Sequence, residues 1–338
     1  MSYTHSNSAN VTIHPSQFPD VIQRQLIASL RRGDVPPKFL YDSVYQTQKW
    51  LNVHQIHSPS QIDQEVNSIY DSVFDFGFNQ VHEMESALIG LGCGGGKKDA
   101  ICLSKLKIGS GLLHYVPCDV SQAMTLIARE EVGKNLDLNN IYPLVCDLSE
   151  SDDLEQFFDK LLPFNHKRIF TFFGMIPNLE PNLILPKLFK MVRKDDDLFI
   201  SANLVSGENY QRGIENILPQ YDNQETRDWL LSFLISIGVA VGDGNLNFGI
   251  EPEGELLRIV AYFRFSRSQA IRINNETITF ESEQPLRIFY SYRHTENTLN
   301  KSRFKSSRLW DSNFDPLDLH LWTPLACLLY TSPSPRDS

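Results

Sequence analysis

Apolar and polar residues change their spacing several times along this chain. Over residues 20–31 the apolar positions Val21, Ile22, Leu26, Ile27 and Leu30 recur at helical intervals, and Gly33 with Pro36-Pro37 closes the segment. Residues 39–53 and 62–78 predict two further helices, broken around Ser58-Pro59. From Ala87 the pattern becomes one of short apolar runs, 87–91, 113–118, 141–146, 168–173 and 197–203, each followed by a helix-like stretch. In one of those stretches Asp152 stands three residues before Glu155, a capping-box spacing, ahead of a stripe of Leu154, Phe157, Phe158, Leu161 and Leu162. After Asn203 this rhythm ends. Asn223 predicts the start of a helix with the stripe Trp229, Leu230, Phe233, Leu234 and Ile237. Residues 245–292 then alternate as antiparallel strands, with Asn274-Asn275 as a turn. Residues 296–309 predict a last core helix and 318–322 a closing strand. The fold class expected is α/β: a mostly parallel, doubly wound, Rossmann-like sheet with a smaller α+β lobe.

The first apolar run feeds a glycine cluster, Gly90, Gly92, Gly94, Gly95 and Gly96, and a helix follows it. Glycine there lets the backbone approach a ligand, and the helix N-terminus favours negative charge. A P-loop is excluded, because Leu91 falls at its first glycine and Lys98 at its hydroxyl position. A dinucleotide turn fits only loosely, on Gly90, Gly92 and Gly95. The nucleoside-binding turn of S-adenosylmethionine methyltransferases requires only Gly92-Cys-Gly94. Asp119 ends the second run and Asp147 the third. Carboxylates at those strand ends suit ribose hydroxyls and an adenine amino group; the alternative is that each aspartate caps the next helix, as Ser121 can, but two in succession after the glycine turn favour a nucleoside. After the fourth run, Asn178 lies between Pro177 and Pro181 in an apolar loop, either as a turn residue or as a ligand.

Composition narrows the partners. A net charge of -10 disfavours nucleic acid and anionic membranes. Five cysteines without CxxC or metal-ligand spacing predict reduced thiols, no metal site and a cytoplasmic protein. No apolar stretch approaches the roughly 20 residues of a membrane span, and the polar N-terminus has no signal core.

These residues together resemble the histidine-specific S-adenosylmethionine-dependent methyltransferases, the family of ergothioneine biosynthesis and of fungal amino-acid N-methyltransferases. Tyr115-Val-Pro-Cys-Asp-Val-Ser121 is similar to its Tyr-x-Pro-x-Asp-(Ile/Val)-Ser signature, and Phe173-Gly-Met-Ile-Pro-Asn-Leu-Glu-Pro181 to its asparagine loop. Gly92-Cys-Gly94 with Lys98, Gln220-Tyr-Asp222 and Phe39-Leu-Tyr-Asp42 add weaker matches. The resemblance implies an S-adenosylmethionine-dependent methyltransferase acting on the amino group of an amino acid or related small amine, not necessarily histidine; the alternatives are a nicotinamide-dependent oxidoreductase and a catalytically inactive binding protein of methyltransferase ancestry. It places Gly92, Gly94, Lys98, Asp119, Ser121, Asp147 and Leu148 at the cofactor, and Asn178, Tyr221 and Ser291 at the substrate. Three departures stand out. Gly90 replaces an acidic residue two positions before the turn. Phe289 falls where a glutamate would read an imidazole, if Ser291-Tyr-Arg matches the family's Ser-x-Lys, which argues against histidine itself. A third is Ile56-His-Ser-Pro-Ser-Gln61 in place of a tyrosine-rich substrate segment.

The expected organisation is a mobile tail over 1–17, N-terminal helices of the substrate lobe over 18–63 and a nucleoside-binding core over 64–205. A substrate-lobe insertion follows over 206–295 and the C-terminal part of the core over 296–326. Residues 327–338 match one reading frame of a sequencing adapter, so the natural end is expected to be lost and the string is set aside.

Overall fold

The computed structural model describes residues 8–78, 85–106, 112–162, 167–193, 196–205, 209–301, 308–310 and 325–331. Strand β1 (Thr12–Ile13) leads into helix α1 (Pro19–Arg32). Pro19 starts that helix, and Gly33 ends it in the left-handed region. Helix α2 (Val44–His57) opens on a reciprocal capping box between Ser43 and Gln46. The short α3 (Pro59–Ile62) and then α4 (Gln64–Phe78) follow. The βα units run β2 (Ser86–Leu91), α5 (Lys97–Lys105), β3 (Leu113–Asp119), α6 (Gln122–Val132), β4 (Leu144–Val145), α7 (Leu154–Leu161), β5 (Lys167–Phe173), α8 (Pro181–Met191) and β6 (Asp197–Leu204). Beyond them come α9 (Tyr210–Ile217), α10 (Gln224–Ser236), β7 (Gly244–Glu253), β8 (Leu256–Phe265), β9 (Gln269–Ile273), β10 (Glu276–Phe280) and β11 (Pro285–Arg293). The last described elements are α11 (Glu296–Lys301), β12 (Arg308–Trp310) and β13 (Leu325–Thr331).

The main sheet has the order β1-β4-β3-β2-β5-β6-β13-β12, and its pairings are parallel. Both of its faces are covered. Ala87, Ile89 and Leu91 of β2 join Phe170 and Phe172 of β5 in a cluster with α7 and α8. Their neighbours Leu88, Tyr115 and Ile169 face the other way, against α4, α5 and α6. Such two-sided burial explains why these strands read as continuous apolar runs rather than alternating ones. The chain starts its βα units at the centre, steps outward through β3 and β4, then returns to β5. A crevice therefore opens at the carboxyl ends of these strands. A separate core joins Leu30, Val35, Phe39 and Leu40 to α10 and to the antiparallel strands β7, β8 and β11.

Several expectations are corrected. Residues 8–17 are not a loose tail within the described part, since β1 pairs with β4 and His14 and Ser16 are buried. His14 Nε2 lies 2.8 Å from an Asp153 oxygen, and the Ser16 hydroxyl accepts from the Asp147 amide. The capping box at Asp152 does not form. Asp153 is the N-cap and makes no side-chain cap bond, while Asp152 pairs with Lys187. Of the helix foreseen over 296–309, Glu296–Lys301 is helical and Arg308–Trp310 is instead a strand among the described residues. The strand foreseen over 318–322 lies outside the described residues. Strand β13, which overlaps the first residues of the adapter-like string, pairs with β6 and leaves the origin of that string untested.

Candidate active site

The crevice is a cavity of about 770 Å³, within the range of small-molecule sites. Its floor is the glycine turn after β2. Gly92 has φ +68, and a Cβ there would sit 2.6 Å from the Met175 side chain. Gly94, at φ +52, packs beneath the Trp50 ring of α2. The turn is held by the chain beside it, because the Gly92 and Cys93 amides both donate to the Cys118 carbonyl. Gly92→Ala is expected to cost about 1–2 kcal/mol of stability from the left-handed backbone alone, and to weaken cofactor binding by pushing Met175 into the cavity. Urea denaturation with calorimetric titration of S-adenosylhomocysteine checks this, and an unchanged midpoint would refute it.

Asp119 stands at the end of β3 with its carboxylate accepting from the Gly94 amide at 3.1 Å and the Ser121 amide at 3.0 Å. Burial pushes its carboxyl up to about 6, against the pull of those amides. The helix-capping alternative for Asp119 fails, since the cap of α6 is the Ser121 hydroxyl. Ser121 itself does not line the cavity and bonds Thr47 at 3.0 Å. Its amide donates to the Asp119 carboxylate, which it helps to hold in place.

Asp147 follows β4 and lines the cavity with Leu148. Its carboxylate is already engaged, by the Lys38 ammonium at 2.8 Å and the Ser149 amide at 2.9 Å. Lys38 and Asp147 are both buried there. An ionised carboxylate has about four acceptor positions, so room for a further donor remains. Lys98 also borders the cavity, but its ammonium donates to Tyr70 at 3.1 Å.

The opposite wall comes from the antiparallel lobe. Tyr221, Ser291 and Arg293 meet there, with an Arg293 guanidinium nitrogen donating to the Ser291 hydroxyl at 2.9 Å and to the Tyr221 phenol. Asn178, carried by the turn after β5, lines the same cavity. Phe289 does not line it. Its ring packs 5.8 Å from Tyr221 and 6.0 Å from Trp229, within the second core.

Several cavity residues escaped the sequence reading. Lys38 sits 109 positions from Asp147, with nothing local to announce the pair. Trp50 and His54 stack at 4.9 Å on one face of α2, where they read as ordinary helix positions. His54 is pushed down to about 4 by burial and then by Lys98 and Lys97, so it is neutral at pH 7. Arg293 was visible as the end of the Ser291-Tyr-Arg motif, but not its approach to Tyr221. Among the described residues no cluster of potential ligands could hold a metal ion, and no helix is long and apolar enough to cross a membrane.

A doubly wound parallel sheet, with a glycine turn and a carboxylate at the next strand end bordering one crevice, defines a class I, Rossmann-like nucleoside-cofactor fold. A family model described as "Histidine-specific methyltransferase, SAM-dependent" matches residues 22–324. The chain belongs to the histidine-specific S-adenosylmethionine-dependent methyltransferase family. It is thus an S-adenosylmethionine-dependent enzyme, and the nicotinamide alternative falls away. Among solved structures it is similar to an S-adenosylmethionine-dependent methyltransferase from Clostridium acetobutylicum, at 16% identity and a TM-score of 0.36 over 75% of this chain and 85% of that one. It is also similar to the CcbJ methyltransferase from Streptomyces caelestis, at 13% identity and a TM-score of 0.31 over 70% and 81% of the two chains. At such low scores these likenesses add nothing to the family assignment. A search of curated proteins found no match.

Proposed function

We propose that this enzyme N-methylates the amino group of an amino acid or related small amine, not necessarily histidine. The cavity supports the reading by bringing Asn178 to the same space as the glycine turn and the Tyr221–Ser291–Arg293 group. S-adenosylmethionine, when bound, supplies a methyl group activated on sulfur for displacement by the acceptor nitrogen. Gly92, Gly94, Asp119, Asp147 and Leu148 would hold it, and the glycine turn leaves space that side chains would fill.

The protein's own contribution is then placement and desolvation. The Asn178 side-chain carbonyl accepts a hydrogen bond from the acceptor amine and turns its lone pair toward the cofactor. Arg293, with Tyr221 and Ser291 beside it, receives the acceptor's carboxylate. Removal of water favours an amine that is neutral when it reacts. His54 is too weak a base at about 4 to be needed for that proton, so none is assigned. In this reading residues 18–63 and 206–295 form the acceptor-binding lobe, and 64–205 with 296–326 the cofactor core.

The test is mass spectrometry of amino acids and amines incubated with the enzyme and S-adenosylmethionine. Methylation is expected on one or more primary amino acids, and Asn178→Ala is expected to lower kcat/KM about 10- to 100-fold without changing cofactor affinity. Methylation confined to hydroxyl or thiol groups would overturn it.

A further inference from the structure

Gly90 leaves a hole in the strand end at the place where the sequence lacks its expected acid, and another residue fills it. A Cβ built on Gly90 would lie 2.1 Å from Oδ2 of Asp99 and 3.0 Å from its carboxylate carbon. Asp99 comes from the first turn of α5, is 3% exposed and lines the cavity. Its two oxygens accept from the Tyr115 phenol of β3 at 2.7 Å and the Thr171 hydroxyl of β5 at 2.8 Å. Both of these donors are neutral hydroxyls. Lys98 contributes only a weaker favourable field, smaller than the effect of burial, which pushes the Asp99 carboxyl up to about 6.

The sheet order gives this carboxylate a direction. Asp147 stands at the end of β4 and Asp119 at the end of β3, so a nucleoside held by them extends across β2 toward β5. The next carboxylate along that line is Asp99. The far end of S-adenosylmethionine carries an ammonium group, and a cation there would offset the cost of keeping an ionised carboxylate buried.

We propose that Asp99 binds the ammonium of the cofactor's methionine end, taking the position that an acidic side chain at residue 90 would otherwise occupy. The acid has moved from the strand to the helix beside it, and Gly90 is glycine because the Asp99 carboxylate needs its space. This inference rests on cofactor binding and is independent of the acceptor's identity.

Calorimetry with two probes tests it. S-adenosylhomocysteine carries the amino-acid end, and 5′-methylthioadenosine keeps the nucleoside and thioether without it. Asp99→Asn is expected to weaken S-adenosylhomocysteine about 10- to 100-fold and to leave 5′-methylthioadenosine within about twofold. Gly90→Asp combined with Asp99→Thr is expected to restore at least about tenfold of the loss relative to Asp99→Thr alone. The unaltered protein supplies a check that needs no variant. Near pH 6, S-adenosylhomocysteine binding is expected to release more protons than 5′-methylthioadenosine binding, measured in buffers of different ionisation enthalpy. Equal loss for both probes in Asp99→Asn, no loss for either, or equal proton release in the unaltered protein would each overturn the proposal.

Discussion

Asp119→Asn is expected to weaken 5′-methylthioadenosine binding roughly 10- to 100-fold, the range for a hydrogen bond to a charged group. The buried carboxylate already accepts from the Gly94 and Ser121 amides, and its remaining acceptor positions are the ones proposed for ribose hydroxyls. Asparagine keeps the shape, removes the charge and presents an N–H where an acceptor stood. The same residue predicts a pH dependence. Burial raises the free carboxyl to about 6, and hydroxyl donors bind its ionised form, so the bound carboxyl titrates lower. Affinity is therefore flat above pH 7 and falls below about 6, by at most about tenfold per pH unit. The thioether nucleoside isolates Asp119 because it lacks the amino-acid end near Asp99. Calorimetric titrations at pH 5 to 8 check this, and a slope unchanged in Asp119→Asn would refute the assignment.

Arg293→Met is expected to raise KM for a carboxylate-bearing acceptor about 10- to 150-fold while the S-adenosylhomocysteine Kd stays unchanged. Arg293 is buried, and its guanidinium lies 4.9 Å from the Tyr221 ring centre as well as bonding Ser291. Methionine keeps much of the volume, which limits the packing loss, but cannot pair with an anion. Decarboxylated amines provide the control, since their KM should respond little. If both acceptor types lose equally, Arg293 only braces Tyr221 and Ser291.

The central strands β2, β3 and β5 were readable because they are buried on both sides and bounded by turns, so runs such as 87–91 and 168–173 announced themselves. The helix start at Asn223 was also legible, and its side chain caps Thr226 at 2.8 Å. Local signals failed where a distant partner took the residue. Asp152 has the capping spacing, yet Lys187 holds it, and the Asp153 carboxylate is taken by His14. The polar letters of residues 8–17 gave no warning of an edge strand, because only two residues pair and the burial is polar. In the cavity, Asp119 and Asn178 could be nominated from strand ends and a loop motif. Lys38, Asp99 and Arg293 could not be placed, since their meaning lies in what faces them across the sheet or from the other lobe. Asp99 had one faint signal, an acid following Lys97-Lys98 in a chain that lacks one at Gly90.

The cavity has two walls that belong to different hydrophobic cores. One is set by the strand ends of the parallel sheet, and the other by β11 with the segment around Tyr221. Substitutions on β11 that face the cavity therefore leave the strand-end wall of the crevice unchanged. An enzyme built this way can acquire new clients by rewriting a few positions of one strand while its chemistry stays intact.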